Sequence, residues 1–142
     1  MDALVTQLKA IAEPTRLRVV SLLSRGELTV SELVHVLGQS QPRVSRHLKL
    51  LTDARLAERL PEGAYVFYRL TDAGGGRKLA EILTDLLPAE DPVLTRDIAR
   101  LESIKQARAV AAQTYFESVA EDWDQIRRLH LADAEVEAAM RK

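Results

Sequence analysis

The chain has 142 residues, which fits one ordinary domain or a small domain with a long helical appendage. Hydrophobic residues make up 46% and charged residues 29%, so a core can be buried and wholesale disorder is excluded, while the absence of cysteine excludes disulfides, thiolate metal sites and cysteine nucleophiles. With 20 Lys and Arg against 21 Asp and Glu the formal net charge is −1, and whole-chain charge points to no partner.

Leu4, Leu8 and Ile11 recur at helical spacing and predict a first helix that stops near Glu13-Pro14. Pro14 suits the first turn of a second helix with Leu17, Val20 and Leu23 as its stripe, ended by Arg25-Gly26. Thr29 with Glu32 three residues on has capping-box spacing, and opens a short third helix with Leu33, Val34 and Leu37 inward and Gly38 at its end. Ser40 is a suitable N-cap and Pro42 fits the first turn of a fourth helix, whose Val44, Leu48 and Leu51 share one face. The opposite face then carries Gln41, Arg43, Ser45, Arg46 and Lys49. Two short helices joined by a tight Gly-containing turn, the second basic outward, describe a helix-turn-helix.

The period then changes to that of strands. Residues 56–60 and 65–70 predict two strands around a hairpin turn at Pro61-Glu62-Gly63-Ala64, and three of the six aromatics of the chain sit in the second strand. A hairpin at this place is a wing. Ala73-Gly74-Gly75-Gly76 predicts a hinge, since each glycine costs a helix about 1 kcal/mol relative to Ala. An amphipathic helix follows over 77–87 with Leu79, Ile82, Leu83 and Leu86 on one side, and Pro88 to Pro92 interrupt it. From Val93 to about Val119 a narrow stripe of Leu94, Ile98, Leu101, Ile104 and Ala111 predicts a long helix that needs a partner. Tyr115, Phe116 and Trp123 cluster just beyond. The expected fold is mainly α with a β-hairpin wing, a winged helix-turn-helix over 1–87 and a helical dimerisation arm over 88–142.

Charge is uneven along these elements. The first 70 residues hold ten basic and seven acidic side chains, and the remainder ten and fourteen. Between Ser40 and Arg59 stand Arg43, Arg46, Lys49, Arg55 and Arg59 against Asp53 and Glu58, a local excess able to attract a phosphate backbone. No apolar run approaches the ~20 residues that span a bilayer. Met1-Asp2-Ala3 opens with an acid where a secretory leader carries Lys or Arg, so a cytoplasmic protein is expected.

The segment from Ser40 through Leu51, with Val44-Ser45-Arg46-His47-Leu48 followed by Lys49-Leu50-Leu51, resembles the recognition helix of arsenic-repressor (ArsR/SmtB) family transcription factors. Glu13-Pro14-Thr15-Arg16-Leu17-Arg18 is similar to the segment that opens the second helix in that family, and Glu62 to Leu70 is similar to its wing. The resemblance spans about residues 3–87 and implies a dimeric DNA-binding repressor released by an effector. Physical chemistry assigns the roles on the helix. Arg43 and Arg46 can take guanine O6 and N7 bidentately, and Gln41 can do the same with adenine. Ser40, Ser45 and Lys49 suit phosphate oxygens, as do Arg59 and Arg69 in the wing. His47 is either a DNA contact or a packing residue that hydrogen-bonds locally.

Three departures from the family pattern matter. Thr29 and Ser31 stand where arsenic and cadmium sensors carry cysteines, and residues 77–87 lack the histidines of zinc and nickel sensors, so neither metal nor cofactor is expected and the effector is a non-metal one. Arg55 stands where the family usually has Gly, at a turn that would strain it. The wing tip has Pro61 and Glu62 instead of a basic pair. Residues 107–140, with Tyr115-Phe116, Trp123-Asp124, Arg127, Arg128, Leu129 and His130, resemble the entry segment of S-adenosylmethionine-dependent methyltransferases, as in arsenic-repressor proteins that continue into such a domain. That likeness suggests S-adenosylmethionine or a related metabolite as effector, and an alternative in which the chain is the regulatory front of a methyltransferase. The Gly-rich strand-turn that the enzyme chemistry requires is missing, so the chain itself is not expected to be an enzyme. A third alternative is a winged helix that meets protein instead of DNA.

Overall fold

The computed structural model describes residues 1–72 and 74–140, with side chains as far as Trp123. The chain forms two compact units, Met1–Glu102 and Ser103–Lys142. In the first, helices α1 (Asp2–Ile11), α2 (Pro14–Leu23), α3 (Val30–Leu37) and α4 (Gln41–Asp53) precede a hairpin of β2 (Ala57–Glu62) and β3 (Tyr65–Leu70). A short strand β1 (Leu28–Thr29) stands before α3, and α5 (Gly75–Leu86) and the first turns of α6 (Pro92–Met140) complete the unit. The second unit is the remainder of α6. Among the described residues no helix is long and apolar enough to cross a membrane.

Local chemistry sets most of the boundaries. Glu13 caps α2 by accepting the Arg16 backbone N–H at 2.8 Å, with Pro14 in the first turn where no N–H is needed. The capping box at α3 is complete: Thr29 Oγ1 accepts from Glu32 N at 3.2 Å, and Thr29 N donates to Glu32 Oε1 at 2.8 Å. Asp91 opens α6, its Oδ1 accepting from Val93 N and Leu94 N at 2.9 and 3.2 Å.

The core lies among α2, α3, α4 and the sheet. Val19, Leu22, Leu28, Leu33, Val36, Val44, Leu48, Leu51 and Leu56 are fully buried there. Each contributes about 1.5–3 kcal/mol by leaving water. The sheet is antiparallel in the order β1-β3-β2, with Leu28 opposite Tyr68 and Ala57 opposite Leu70. The strand β1, absent from the sequence-based expectation, adds a third strand to the wing.

Three boundaries differ from expectation. The hairpin turn is shorter: Pro61 and Glu62 belong to β2, opposite Val66 and Tyr65, and Gly63-Ala64 alone close the loop. Pro61 is accommodated because β2 is an edge strand. Helix α5 begins at Gly75, so the expected hinge is cut short, and Gly76 is buried in its first turn. A Cβ on Gly76 would overlap the Arg55 carbonyl oxygen, so close packing outweighs the poor helix propensity of glycine. Helix α6 runs on past Val119, and Tyr115, Phe116 and Trp123 lie within it, exposed.

Candidate nucleic-acid interface

Helix α4 is divided cleanly. Val44, Leu48 and Leu51 are wholly buried, while Gln41, Arg43, Arg46 and Lys49 are exposed and Ser45 is half-buried. Ser40 is the N-cap residue, but its hydroxyl makes no capping bond. The outward polar groups are lightly held. Gln41 Nε2 donates to Ser45 Oγ at 2.9 Å, and Lys49 Nζ pairs with Asp53 Oδ2 at 3.1 Å across one helical turn. An exposed pair of this kind is worth about 0.3–0.5 kcal/mol, so a phosphate can displace it readily.

His47 takes the packing alternative. It is buried, and its Nδ1 lies 3.1 Å from Arg16 Nη1 and 3.8 Å from Glu13 Oε2. The spacing explains this: residues 44, 47, 48 and 51 form one helical stripe, so His47 shares the inner side with the core leucines. Burial pushes the His47 pKa below its ordinary value, and the charges of Arg16, Arg43 and Arg46 act the same way against the opposing pull of Glu13. A neutral ring leaves Nδ1 as acceptor for the Arg16 N–H. Burial works against ionisation of Glu13, but the backbone N–H groups of Arg16 and Thr15, then the His47 and Arg16 charges, outweigh it and hold the carboxyl below its usual range.

In the wing, Arg59 is exposed on β2 opposite Tyr68, and Arg69 on β3 is opposite Glu58. These are adjacent pairs in the ladder, so the two arginines project from opposite faces of the sheet. Arg69 is neutralised locally: its Nε is 3.1 Å from Glu58 Oε2 and its Nη1 4.0 Å from Glu27 Oε1. The structure therefore brings Ser40, Gln41, Arg43, Ser45, Arg46 and Lys49 together on one helix, and separates Arg69 from Arg59.

Sequence reasoning missed the groups that fix α3 and α4 in place. Arg18 forms a two-pronged ion pair with Asp97 of α6, with both N···O distances 2.8 Å, and Asp97 is 1% exposed. The hydrogen bonds that Arg18 donates to Asp97 raise the Arg18 pKa further, against the effect of burial. Arg100 Nη1 donates to the Val36 carbonyl at 2.9 Å, and Arg18 Nη2 reaches the Leu37 carbonyl at 3.4 Å. These bonds serve carbonyls at the C-terminal end of α3, where the helix supplies no partner. The signal in the sequence was an aspartate inside the Leu94-Ile98-Leu101 stripe. In the turn that follows α3, Gln39 Nε2 donates to the buried Thr15 Oγ1 at 3.0 Å, holding the turn against α2.

Comparison with known proteins matches residues 13–59 to the bacterial regulatory proteins of the arsR family. The transcriptional repressor BigR from Xylella fastidiosa superposes with a TM-score of 0.57 at 31% identity, over 63% of this chain and 88% of that one. The chain belongs to the arsR family. Its first unit has the winged helix-turn-helix fold of that family. The arsenical resistance operon repressor of Escherichia coli is 48% identical over 64 residues, which are 44% of this chain and 55% of that protein. The chain spans about half the length of the arsenic-resistance regulators it matches, 55% and 49%. A possible ArsR-family transcriptional regulator from Mycobacterium bovis, solved in solution as a homodimeric winged helix-turn-helix DNA-binding domain, aligns with a TM-score of 0.53 at 27% identity, over 60% of this chain and 75% of that one.

The hydroxyl of Thr29, which the resemblance sets where arsenic sensors carry cysteine, is engaged in capping α3. Arg55 has φ of 61°, a positive value that no other non-glycine among the described residues adopts. The backbone thus keeps the left-handed turn for which the family usually has glycine. Gly76 seats the start of α5 against that same turn, whereas a Cβ on Gly74 or Gly75 would meet open space, and the run follows an antiparallel strand. Of the methyltransferase-like segment, the side chains of Asp124, Arg127, Arg128, Leu129 and His130 lie outside the described residues.

Proposed function

We propose that the chain is a homodimeric, sequence-specific DNA-binding transcriptional repressor of the cytoplasm, released by a non-metal effector. The observation that carries this is the division of α4: its apolar side is consumed by the core, and the side left to solvent holds Gln41, Arg43, Arg46 and Lys49. A partner for that surface is polar and negatively charged, and a helix of this kind fits the major groove. Arg43 and Arg46 take guanine, Gln41 takes adenine, and Ser40, Ser45, Lys49 and Arg59 hold phosphates. Arg69 contributes only after giving up its carboxylate partners.

Dimerisation is supported by the homodimeric state of the Mycobacterium bovis domain and by the apolar side chains that α1 and α5 leave exposed, Leu4, Leu8, Ile82 and Leu86. Two recognition helices then enter successive major grooves about 34–36 Å apart on a two-fold operator. The working division is a DNA-binding part over 1–87 and an arm over 88–142. An effector releases DNA by binding the competent and incompetent dimers with different affinity. A non-metal effector is supported by Thr29 and Ser31, hydroxyls that bind soft metals far less well than thiolates do.

The test begins with selection of duplexes from a random library, followed by anisotropy titrations across a salt series. Log affinity should fall steeply with log salt. Arg43→Ala should cost roughly 1–3 kcal/mol of binding and relax preference at one base pair, with the unfolding temperature unchanged. Affinity that is flat in salt would instead favour a protein partner for the winged helix.

A further inference from the structure

An open groove runs between the start of α2 and the outer edge of α4. Its lining includes Arg16, Ser40, Arg43, Arg46 and His47, with Leu50 along one margin. Three guanidinium groups around a single concavity repel one another, and an anion placed among them removes that cost. Arg16 is the member that belongs to neither the helix-turn-helix surface nor the wing. Its position is fixed from two sides: Nε donates to the Ala10 carbonyl at the end of α1, and Nη1 donates to His47 Nδ1 at 3.1 Å. A guanidinium carries five N–H donors in a rigid fork, so donors remain beyond these two bonds. Three guanidinium groups act on His47 here against one carboxylate, that of Glu13, whose Oε2 lies 3.8 Å from His47 Nδ1. Ser40, whose hydroxyl is not used in capping, adds a neutral donor at the same rim.

We infer that this groove seats one backbone phosphate of bound duplex DNA, and that Arg16, outside the recognition helix, is its anchor. The inference rests on the DNA-binding function proposed above. A held arginine at the flank of a helix whose outer face meets base edges is in the position where a phosphate contact fixes register without reading sequence. Because Arg16 is held by α1 and α4 together, the contact would also tie the docking angle of α4 to the helices beneath it.

The experiment uses the full chain and the selected duplex, titrated by anisotropy over a salt series. Arg16→Gln should weaken binding on the order of tenfold and reduce the steepness of log affinity against log salt by about one unit, with base preference unchanged. Unchanged affinity and slope would overturn the assignment. So would weaker binding with the slope of the parent chain, because that is the signature of a residue that only supports the fold. Should Arg16→Gln fail to fold, Arg16→Lys decides: a phosphate seat keeps the full slope but loses affinity, since one ammonium cannot replace the fork. Affinity for Arg16→Lys equal to that of the parent chain would then count against it. If the parent chain itself shows no salt-dependent binding, the DNA-binding function fails first, and that result is distinct from a silent Arg16.

Discussion

Helices α4 and α5 are nearly the same length, 13 and 12 residues, and both carry an apolar stripe, yet the fold uses them in opposite ways. In α4 Val44, Leu48 and Leu51 face the core with none of them accessible to solvent, and Leu50 alone of its leucines is exposed, at 41%. In α5 the fully buried positions are Gly76 and Ala80, while Ile82 is 48% and Leu86 71% exposed. Helix α5 settles on its small residues where Gly76 approaches the Arg55 carbonyl closely, leaving Leu79 and Leu83 half-buried and Ile82 and Leu86 on the outside. The contrast teaches where each surface ends. The apolar requirement of α4 is met within the chain, so what it offers outward is polar and suits a charged polymer. That of α5 is not met, nor is that of α1, where Leu4 and Leu8 are also about half exposed. Such a face calls for apolar cover of the kind a second copy provides.

The comparison breaks most easily at Leu48. Leu48→Ala removes a wholly buried side chain and should cost about 2–5 kcal/mol in denaturant unfolding, whereas Leu86→Ala, at an exposed position, should stay within about 0.5 kcal/mol once the protein is dilute enough to be monomeric. Equal losses at the two sites would mean that α5 is as much a part of the single-chain core as α4. The next largest effect concerns assembly. Ile82→Asp puts a charge on the uncovered face and should turn a dimer into a monomer in sedimentation equilibrium, with helical circular dichroism retained. A variant that stays dimeric would place the interface elsewhere and leave the exposed stripe of α5 without its proposed purpose.

Much of this arrangement is legible in the sequence, and the reason is locality. The stripe of α4, the Thr29–Glu32 capping box and the proline positions are set by residues within two helical turns of one another. The features that escaped depend on distant partners. Two residues, Leu28 and Thr29, become a strand only because Tyr68 and Phe67 arrive opposite them. Asp97 is meaningful only through Arg18, 79 residues earlier. His47 is the instructive intermediate: its outward role came from motif resemblance, while its spacing from Val44 and Leu51 already placed it inward. The glycine run reads as a hinge by propensity alone, which leaves out the close approach that Gly76 makes possible. The exposed aromatics of α6 belong to a helix whose boundary no Gly or Pro marks.

The smallest expected effect is at the turn that leads from α4 into β2, against which α5 packs. Arg55 holds φ of 61°, where an L side chain crowds its own carbonyl at a cost of roughly 1–2 kcal/mol. Arg55→Gly relieves that crowding but gives the unfolded chain more freedom, worth about 0.4–1 kcal/mol in the other direction. The balance is a gain of up to about 1.5 kcal/mol, seen as a rise of a few degrees in the unfolding temperature. Arg55→Asn, which tolerates the left-handed region, should lie between the parent chain and the glycine variant. A fall in stability for Arg55→Gly would show that the Arg55 side chain contributes more than its backbone conformation costs. The departure from the glycine usual in the family would then be a stabilising exchange, and the seat of α5 on this turn would depend on the arginine as well as on Gly76.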